Sequence, residues 1–221
     1  MATSLVTGAN RGIGCEYCRQ LKARGDRVLA VCRSASRELK QLGVTVIEGI
    51  DITSNRAVNQ LAQQLQGTPI DLLVNNAGVL ETIPLSDLDF DSMRQQFEVN
   101  ALGMLRVTQA LLPNLHDGSK IAIMTSRMGS IGDNTSGGSY GYRMSKAATS
   151  MAGKSLAHDL KPQGIAVAIL HPGLVSTRMT GHTNRGIAPA ESVSNLLQRI
   201  DALTLENTGT FWHANGEVLP W

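Results

Sequence analysis

The chain has 221 residues, a length that suits one α/β domain with a sizeable core. Twenty basic against eighteen acidic residues give a formal charge of +2 with no block of like charges, which excludes the electrostatic footprint of a nucleic-acid binder or of a protein held on an anionic membrane. No apolar run reaches the length of a membrane span, and Met1-Ala2-Thr3-Ser4 leads straight into a strand, leaving no room for a signal peptide. Cys15, Cys18 and Cys32 are too few for a disulfide framework and fit a reducing, cytoplasmic setting. Cys15 and Cys18 form a C-x-x-C, but no His or Cys pair at ligand spacing accompanies it. No metal site is expected, and both are read as packing residues of the first helix.

In chain order, short apolar runs alternate with helical patterns. Leu5-Val6 is a first strand, ending in Thr7-Gly8-Ala9-Asn10-Arg11-Gly12-Ile13-Gly14. A helix follows and stops at Gly25, a C-terminal cap. Val28 to Cys32 and Val44 to Ile47 are the second and third strands. Val58, Leu61, Ala62 and Leu65 recur at helical spacing. Ile70 to Val74 is a fourth strand, and one long helix is predicted from Met93 to Leu112. Ile121 to Met124 is a fifth strand, Tyr140 to Leu160 a helix, Ile165 to Leu170 a sixth strand, Glu191 to Leu203 a last helix and Thr210 to Trp212 a seventh strand. Continuously apolar strands between helices predict an α/β, Rossmann-type doubly wound parallel sheet covered on both faces. No linker or repeat interrupts it, so residues 1–221 read as one domain.

The first turn carries chemistry. Gly8, Gly12 and Gly14 lie between a strand and a helix, where backbone can approach a pyrophosphate and the helix N-terminus offers free N–H groups. The spacing is G-x-x-x-G-x-G. The end of the second strand, Cys32-Arg33, lacks the carboxylate that would bind a free ribose 2′-hydroxyl. Arg33 there and Arg11 in the glycine turn are cations suited to a 2′-phosphate, so NADP(H) is favoured over NAD(H). Farther on, Tyr142 and Lys146 stand four residues apart on a helix, on one face and one turn apart. An ammonium beside a phenol favours the phenolate, so Lys146 is expected to lower the Tyr142 pKa. Tyr140 has Met144 at the corresponding position and lacks the lysine.

These residues, with further motifs in a fixed order, resemble the short-chain dehydrogenase/reductase superfamily in its compact form. Thr7-Gly8 through Gly14 is similar to its cofactor turn, Asp51-Ile52 to its adenine contact and Asn75-Asn76-Ala77-Gly78 to its NNAG motif. Asn100, Ser126, the Tyr142/Lys146 pair and Pro172-Gly173 match the remaining positions. The segments Ser126 to Ile131, Tyr140 to Lys146 and Gly216 to Trp221 resemble the C-factor/Sniffer-like carbonyl reductase subgroup. Sixteen residues separate Ser126 from Tyr142, with Gly132 to Ser139 as a polar insertion. Ser130 therefore competes with Ser126, which is preferred because it directly follows the strand and keeps S-x-x-G. The segment after Thr177 is short, implying a small lid.

The resemblance implies catalytic residues Asn100, Ser126, Tyr142 and Lys146. It implies cofactor contacts at Gly8, Asn10, Arg11, Gly12, Ile13, Gly14, Arg33, Asp51, Ile52, Asn75, Ala77, Gly78, Tyr142, Lys146, Pro172, Gly173, Val175 and Thr177. Tyr142 would act as general acid/base, Ser126 would donate to the oxyanion, and Asn100 would hold a water linked to Lys146. The expected activity is NADPH-dependent reduction of aldehydes and ketones, with no nucleic-acid or membrane partner. A homodimer, or less readily a tetramer, is expected through the helices bearing Asn100 and Tyr142. Two alternatives are an oxidative alcohol dehydrogenase and a nucleotide-binding signalling protein of C-factor type. His171 is read as structural.

Overall fold

A computed structural model describes all residues, Met1–Trp221. Seven strands form one parallel sheet: β1 (Thr3–Thr7), β2 (Arg27–Val31), β3 (Thr45–Ile47), β4 (Leu72–Asn75), β5 (Lys120–Met124), β6 (Ala166–His171) and β7 (Phe211–His213). Their order in space is β3-β2-β1-β4-β5-β6-β7. The order reverses between β1 and β4, and a crevice opens there at the carboxyl ends of the strands. Parallel strands need crossovers, and helices supply them on both faces. The helices are α1 (Gly12–Ala23), α2 (Arg37–Gln41), α3 (Asn55–Gln64), α4 (Phe90–Phe97), α5 (Gly103–Leu111), α6 (Tyr140–Leu160) and α7 (Pro189–Asp201).

Two apolar layers sandwich the sheet. One joins Val6, Ala30, Val74, Ala122 and Leu170 to α1 and α7 through Tyr17, Leu21, Leu196 and Ile200. The other joins Leu5, Leu29, Leu73, Ile121 and Val167 to α3, α5 and α6 through Val58, Leu61, Val107, Leu111 and Leu160. Alternate strand residues serve opposite layers, as the pleat requires. Each fully buried Leu or Ile contributes about 2 kcal/mol.

The single helix predicted over 93–112 is broken. Between α4 and α5, residues Glu98–Leu102 form a π-turn centred on Asn100. A π-turn widens the helix by one residue and frees polar groups for other partners. Its phase slip changes which residues face inward: Met104 and Leu111 are buried, whereas Phe97 is exposed. The tail after β7 folds back along that strand. Trp212 bridges Val218 in antiparallel fashion, the Leu219 amide donates to the Phe211 carbonyl at 2.8 Å, and Trp221 stacks on Phe211.

Candidate active site

The crevice is lined first by the turn after β1. Gly8 (φ 64°) lies so near the loop after β4 that a Cβ would come within 2.7 Å of the Ala77 Cα. At Gly14 a Cβ would lie 2.3 Å from the Gly8 carbonyl oxygen. Only hydrogen fits at either position. Thr7 binds the two loops together, its hydroxyl accepting from the Asn76 and Ala77 amides at 3.1 and 3.2 Å. Asn76 Nδ2 donates to the Thr7 and Gly8 carbonyls. Helix α1 opens with no side-chain cap and no acidic residue in its first turn, which leaves its N-terminal dipole free for an anion. Arg11 and Arg33 are exposed at this edge, with Asn10 and Ile13 partly so. This cradle fits a dinucleotide: a tight backbone turn, an uncapped helix start and cations beyond it.

Three cofactor candidates face inward. The Asn75 side chain is buried and donates to the Thr108 hydroxyl at 2.9 Å. Ile52 is buried against Gly103, where a Cβ would meet Ile52 Cδ1 at 2.8 Å. Val175 is buried and bridges Ile187. For Asn75 and Val175 only the backbone remains for a ligand. Asp51 accepts from the Thr53 amide and hydroxyl at 2.9 and 2.8 Å. Those bonds, the backbone one foremost, hold its carboxyl below the usual range, and Arg33 nearby acts in the same direction.

On the other side of the crevice, Ser126 follows β5 and caps a short turn, its hydroxyl accepting from the Met128 amide at 3.1 Å. The loop presses onto α6 at Gly129, where a Cβ would lie 2.6 Å from the Lys146 carbonyl carbon. Ser126 faces the Tyr142 phenol. Burial pushes that phenol up to about 12, and its bond with Ser126 pulls the other way. Ser130 is buried elsewhere, its hydroxyl accepting from the Asp133 amide. Lys146 lies 5.8 Å from the Tyr142 ring centre and donates to the Met124 carbonyl at 2.9 Å. Burial lowers its pKa to about 8. The expectation that Lys146 depresses Tyr142 is therefore corrected: desolvation dominates both groups and favours the neutral phenol.

The Asn100 side chain is engaged by the protein itself: Oδ1 accepts from the Val79 amide at 2.8 Å, and Nδ2 donates to the Val79 carbonyl and the Ser145 hydroxyl, each at 2.9 Å. The Thr149 hydroxyl donates to the Asn100 carbonyl at 2.9 Å. Asn100 thus splints the loop after β4 to α6. Gly78 keeps the gap beside it open, since a Cβ would lie 3.1 Å from Asn100 Oδ1 and 3.6 Å from Lys146 Nζ.

Sequence reasoning named Thr7 and Asn76 within motifs without a role of their own, and missed Ser145, Thr149 and Thr108. Ser145 offered a signal, because it lies three residues beyond Tyr142 and bonds back to the Tyr142 carbonyl. Thr108 offered none.

The rim has three parts. A lid, residues 174–187, rises from Pro172-Gly173; its neck is closed by the Ser176 amide on the Ile187 carbonyl and the Ile187 amide on the Leu174 carbonyl, both 2.9 Å. Thr177 of the lid rests on the glycine turn, its Cγ2 3.5 Å from where a Gly12 Cβ would stand. The insertion Gly132–Ser139 has no helix or strand. Arg127 ties it to the tail, pairing with Asp133 at 2.7 Å and Glu217 at 2.9 Å. Arg143 ties it to α6 by donating to the Gly137 carbonyl and the Ser136 hydroxyl. At the foot of the lid, His171 packs edge-on against His213 with ring centres 4.9 Å apart. Burial, then the neighbouring His213 and Arg127, lowers the His171 pKa to about 3.

Residues 2–188 match the profile of the short chain dehydrogenase family. The chain belongs to the short-chain dehydrogenase/reductase family. This short-chain dehydrogenase is 43% identical over 226 residues to 1-hydroxy-2-glutathionyl-2-methyl-3-butene dehydrogenase of Rhodococcus sp. (strain AD45), all of both chains being covered. It is 47% identical over 156 residues to C-signal of Myxococcus xanthus, covering 69% of this chain and 93% of that one. Among solved structures it is similar to carbonyl reductase Sniffer of D. melanogaster (TM-score 0.93, 28% identity, all of both chains). NADPH-bound carbonyl reductase from chicken fatty liver is also similar (TM-score 0.90, 28% identity, 100% and 98% covered). The fold, the family and the C-factor/carbonyl-reductase type expected from the motifs are those found, and the protein is an oxidoreductase of that family. No helix is long and apolar enough to cross a membrane.

Proposed function

We propose that this protein reduces aldehydes and ketones to alcohols with NADPH. The observation that carries the reading is a buried Tyr142 phenol facing Ser126, its neutral form favoured by burial, with Lys146 5.8 Å from its ring centre. Reduction needs an acid for the carbonyl oxygen, and a phenol kept neutral by burial is one. When bound, NADPH supplies the hydride to the carbonyl carbon. Tyr142 then gives its proton to the oxygen, and the Ser126 hydroxyl donates to the same oxygen as charge develops on it. The Lys146 ammonium stabilises the phenolate left behind. Asn100 keeps Val79 and α6 in register. Gly8, Gly12, Gly14, Ala77 and Gly78 would hold the dinucleotide by backbone, with Thr177 and the backbone of Pro172, Gly173 and Val175 at the nicotinamide end. The exposed Arg11 and Arg33 support NADP(H), as does the NADPH-bound chicken relative.

A second reading is oxidation of an alcohol, favoured by the likeness to the Rhodococcus dehydrogenase. A signalling role beside catalysis draws support from the likeness to C-signal. One assay separates them: NADPH consumption with a carbonyl panel, NADP⁺ reduction with the matching alcohols, NADH in parallel and Tyr142→Phe as control. Turnover faster with NADPH than NADH and lost in the variant supports the reductase; turnover only from alcohols supports the dehydrogenase; tight NADPH binding with neither supports the signalling protein.

We assign the protein as a single-domain cytoplasmic homodimer. A cavity of about 240 Å³ between α4 and α6, lined by Phe90, Met93, Phe97 and Met144, supports an interface on that face. Leu102 and Met151 are exposed as well. Sedimentation of Met151→Glu as a monomer would bear this out.

A further inference from the structure

The lid carries Arg178, His182 and Arg185 and not one acidic residue. All three are exposed. Neither Arg178 nor Arg185 makes a side-chain hydrogen bond or an ion pair, whereas across the rim Arg127 is paired with both Asp133 and Glu217. Outside the rim, in the loop after β4, the Glu81 carboxylate is engaged by the Ser92 hydroxyl. The lid's cations are therefore uncompensated, although acids were available elsewhere along the rim. The backbone that carries Arg178 is anchored. Arg178 opens a short helical turn, Arg178–Thr180, directly after Thr177. The Thr180 hydroxyl anchors that turn on the Val175 carbonyl at 2.6 Å. Beside the cations the lid exposes two apolar side chains, Leu174 and Met179.

We propose that the substrate is an amphiphilic carbonyl compound bearing an anionic group, a carboxylate in the simplest case. Leu174 and Met179 cover its apolar body, and Arg178 and Arg185 take its charge. This deepens the carbonyl-reductase reading and rests on it. The dinucleotide does not need these arginines: the α1 N-terminus serves its pyrophosphate, and Arg11 and Arg33 serve the 2′-phosphate at the far end of the crevice. Guanidinium groups suit carboxylates because their paired N–H donors match both oxygens. Opposed charge over an open site also raises the encounter rate with an anion, an effect that salt removes.

The test uses aromatic and aliphatic aldehydes, each offered as the free acid and as its methyl ester, with NADPH at low ionic strength. The readout is the ratio of kcat/KM for acid over ester. The wild type is expected to prefer the acids. Arg178→Gln and Arg185→Gln are each expected to cut the ratio about two- to fivefold, the range of exposed ion pairs. Arg185→Glu should cut it further, and added salt should lower the wild-type ratio toward one. Thermal melts confirm that the variants fold. Equal use of acids and esters by the wild type would overturn the proposal. So would an unchanged ratio in both glutamine variants together with a raised KM for NADPH, which would assign the arginines to the cofactor. If no carbonyl is reduced at all, the reductase reading fails and this inference falls with it.

Discussion

The two banks of the crevice are held by different forces. The bank made by β1 and β4 is fixed by backbone contact: Gly8 on Ala77, Gly14 on the Gly8 carbonyl, and Thr7 and Asn76 stitching the turns together. The bank made by β5 and β6 carries a rim of lid, insertion and tail, whose ties include exposed ion pairs such as Arg127 with Asp133 and Glu217. The first bank tolerates almost no added atom; the second is as confined where Gly129 meets Lys146, but the exposed side chains of its rim can change residue by residue. The rigid bank suits a constant ligand and the adjustable rim suits a variable one, as expected if cofactor and substrate lie on these respective sides.

The largest effect should come at the junction of the banks. Tyr142→Phe removes the acid and nothing else, so turnover should fall by about 10³-fold with the melting temperature nearly unchanged. Retained turnover would break the proposed chemistry. Next, Gly14→Val should destabilise the fold by about 3 kcal/mol or more and abolish NADPH binding, because its Cβ meets backbone that cannot yield; a denaturant titration measures the first and fluorescence the second.

His171, at the foot of the rim, should show in pH-dependent stability. Burial holds it neutral, with its pKa lowered to about 3 from 6.5. The unfolded chain binds that proton below pH 6.5 and the folded one does not, so stability falls as pH drops from 6.5 toward 3. The loss should approach about 5 kcal/mol, and His171→Asn should flatten it in acid titrations followed by circular dichroism.

Lys146 should act with the opposite preference for stability and activity. With its pKa lowered from 10.5 to about 8 by burial, the unfolded chain binds more protons between pH 8 and 10.5, so stability rises with pH across that window. Lys146→Met should remove the rise, gain about 2 kcal/mol at neutral pH and lose most activity. In the wild type, reductive kcat/KM should be level below about pH 8 and decline above it as the ammonium is lost. The smallest effect belongs to the rim ties: Arg127→Met should cost only about 0.5 kcal/mol in stability, while limited proteolysis of the insertion and tail should quicken.

Sequence and structure agree where spacing is local. The glycine turn, the Tyr142/Lys146 pair and the alternation of strands and helices in a doubly wound sheet all follow from patterns a few residues long. The π-turn at Asn100 was hidden because one extra residue in a helix leaves no compositional mark, only a phase slip visible once Phe97 and Met104 are placed. The direction of the Tyr142 shift was hidden because desolvation depends on what the rest of the fold packs around the phenol. Asn75 and Val175 turned inward for the same reason: their neighbours Thr108 and Ile187 are 33 and 12 positions away.

The folded-back tail has a consequence for the sheet as a whole. A parallel sheet has two edge strands with unpaired backbone groups, and such edges invite other chains to add on. Along β7 those groups are taken up by Leu219, whose amide donates to the Phe211 carbonyl, and by Glu217, whose carbonyl accepts from the His213 amide, with Trp221 laid over Phe211. The segment acts as a selvedge, finishing one border of the sheet against fraying and against strangers. Shortening it would show first as precipitation at high protein concentration, before any change in turnover.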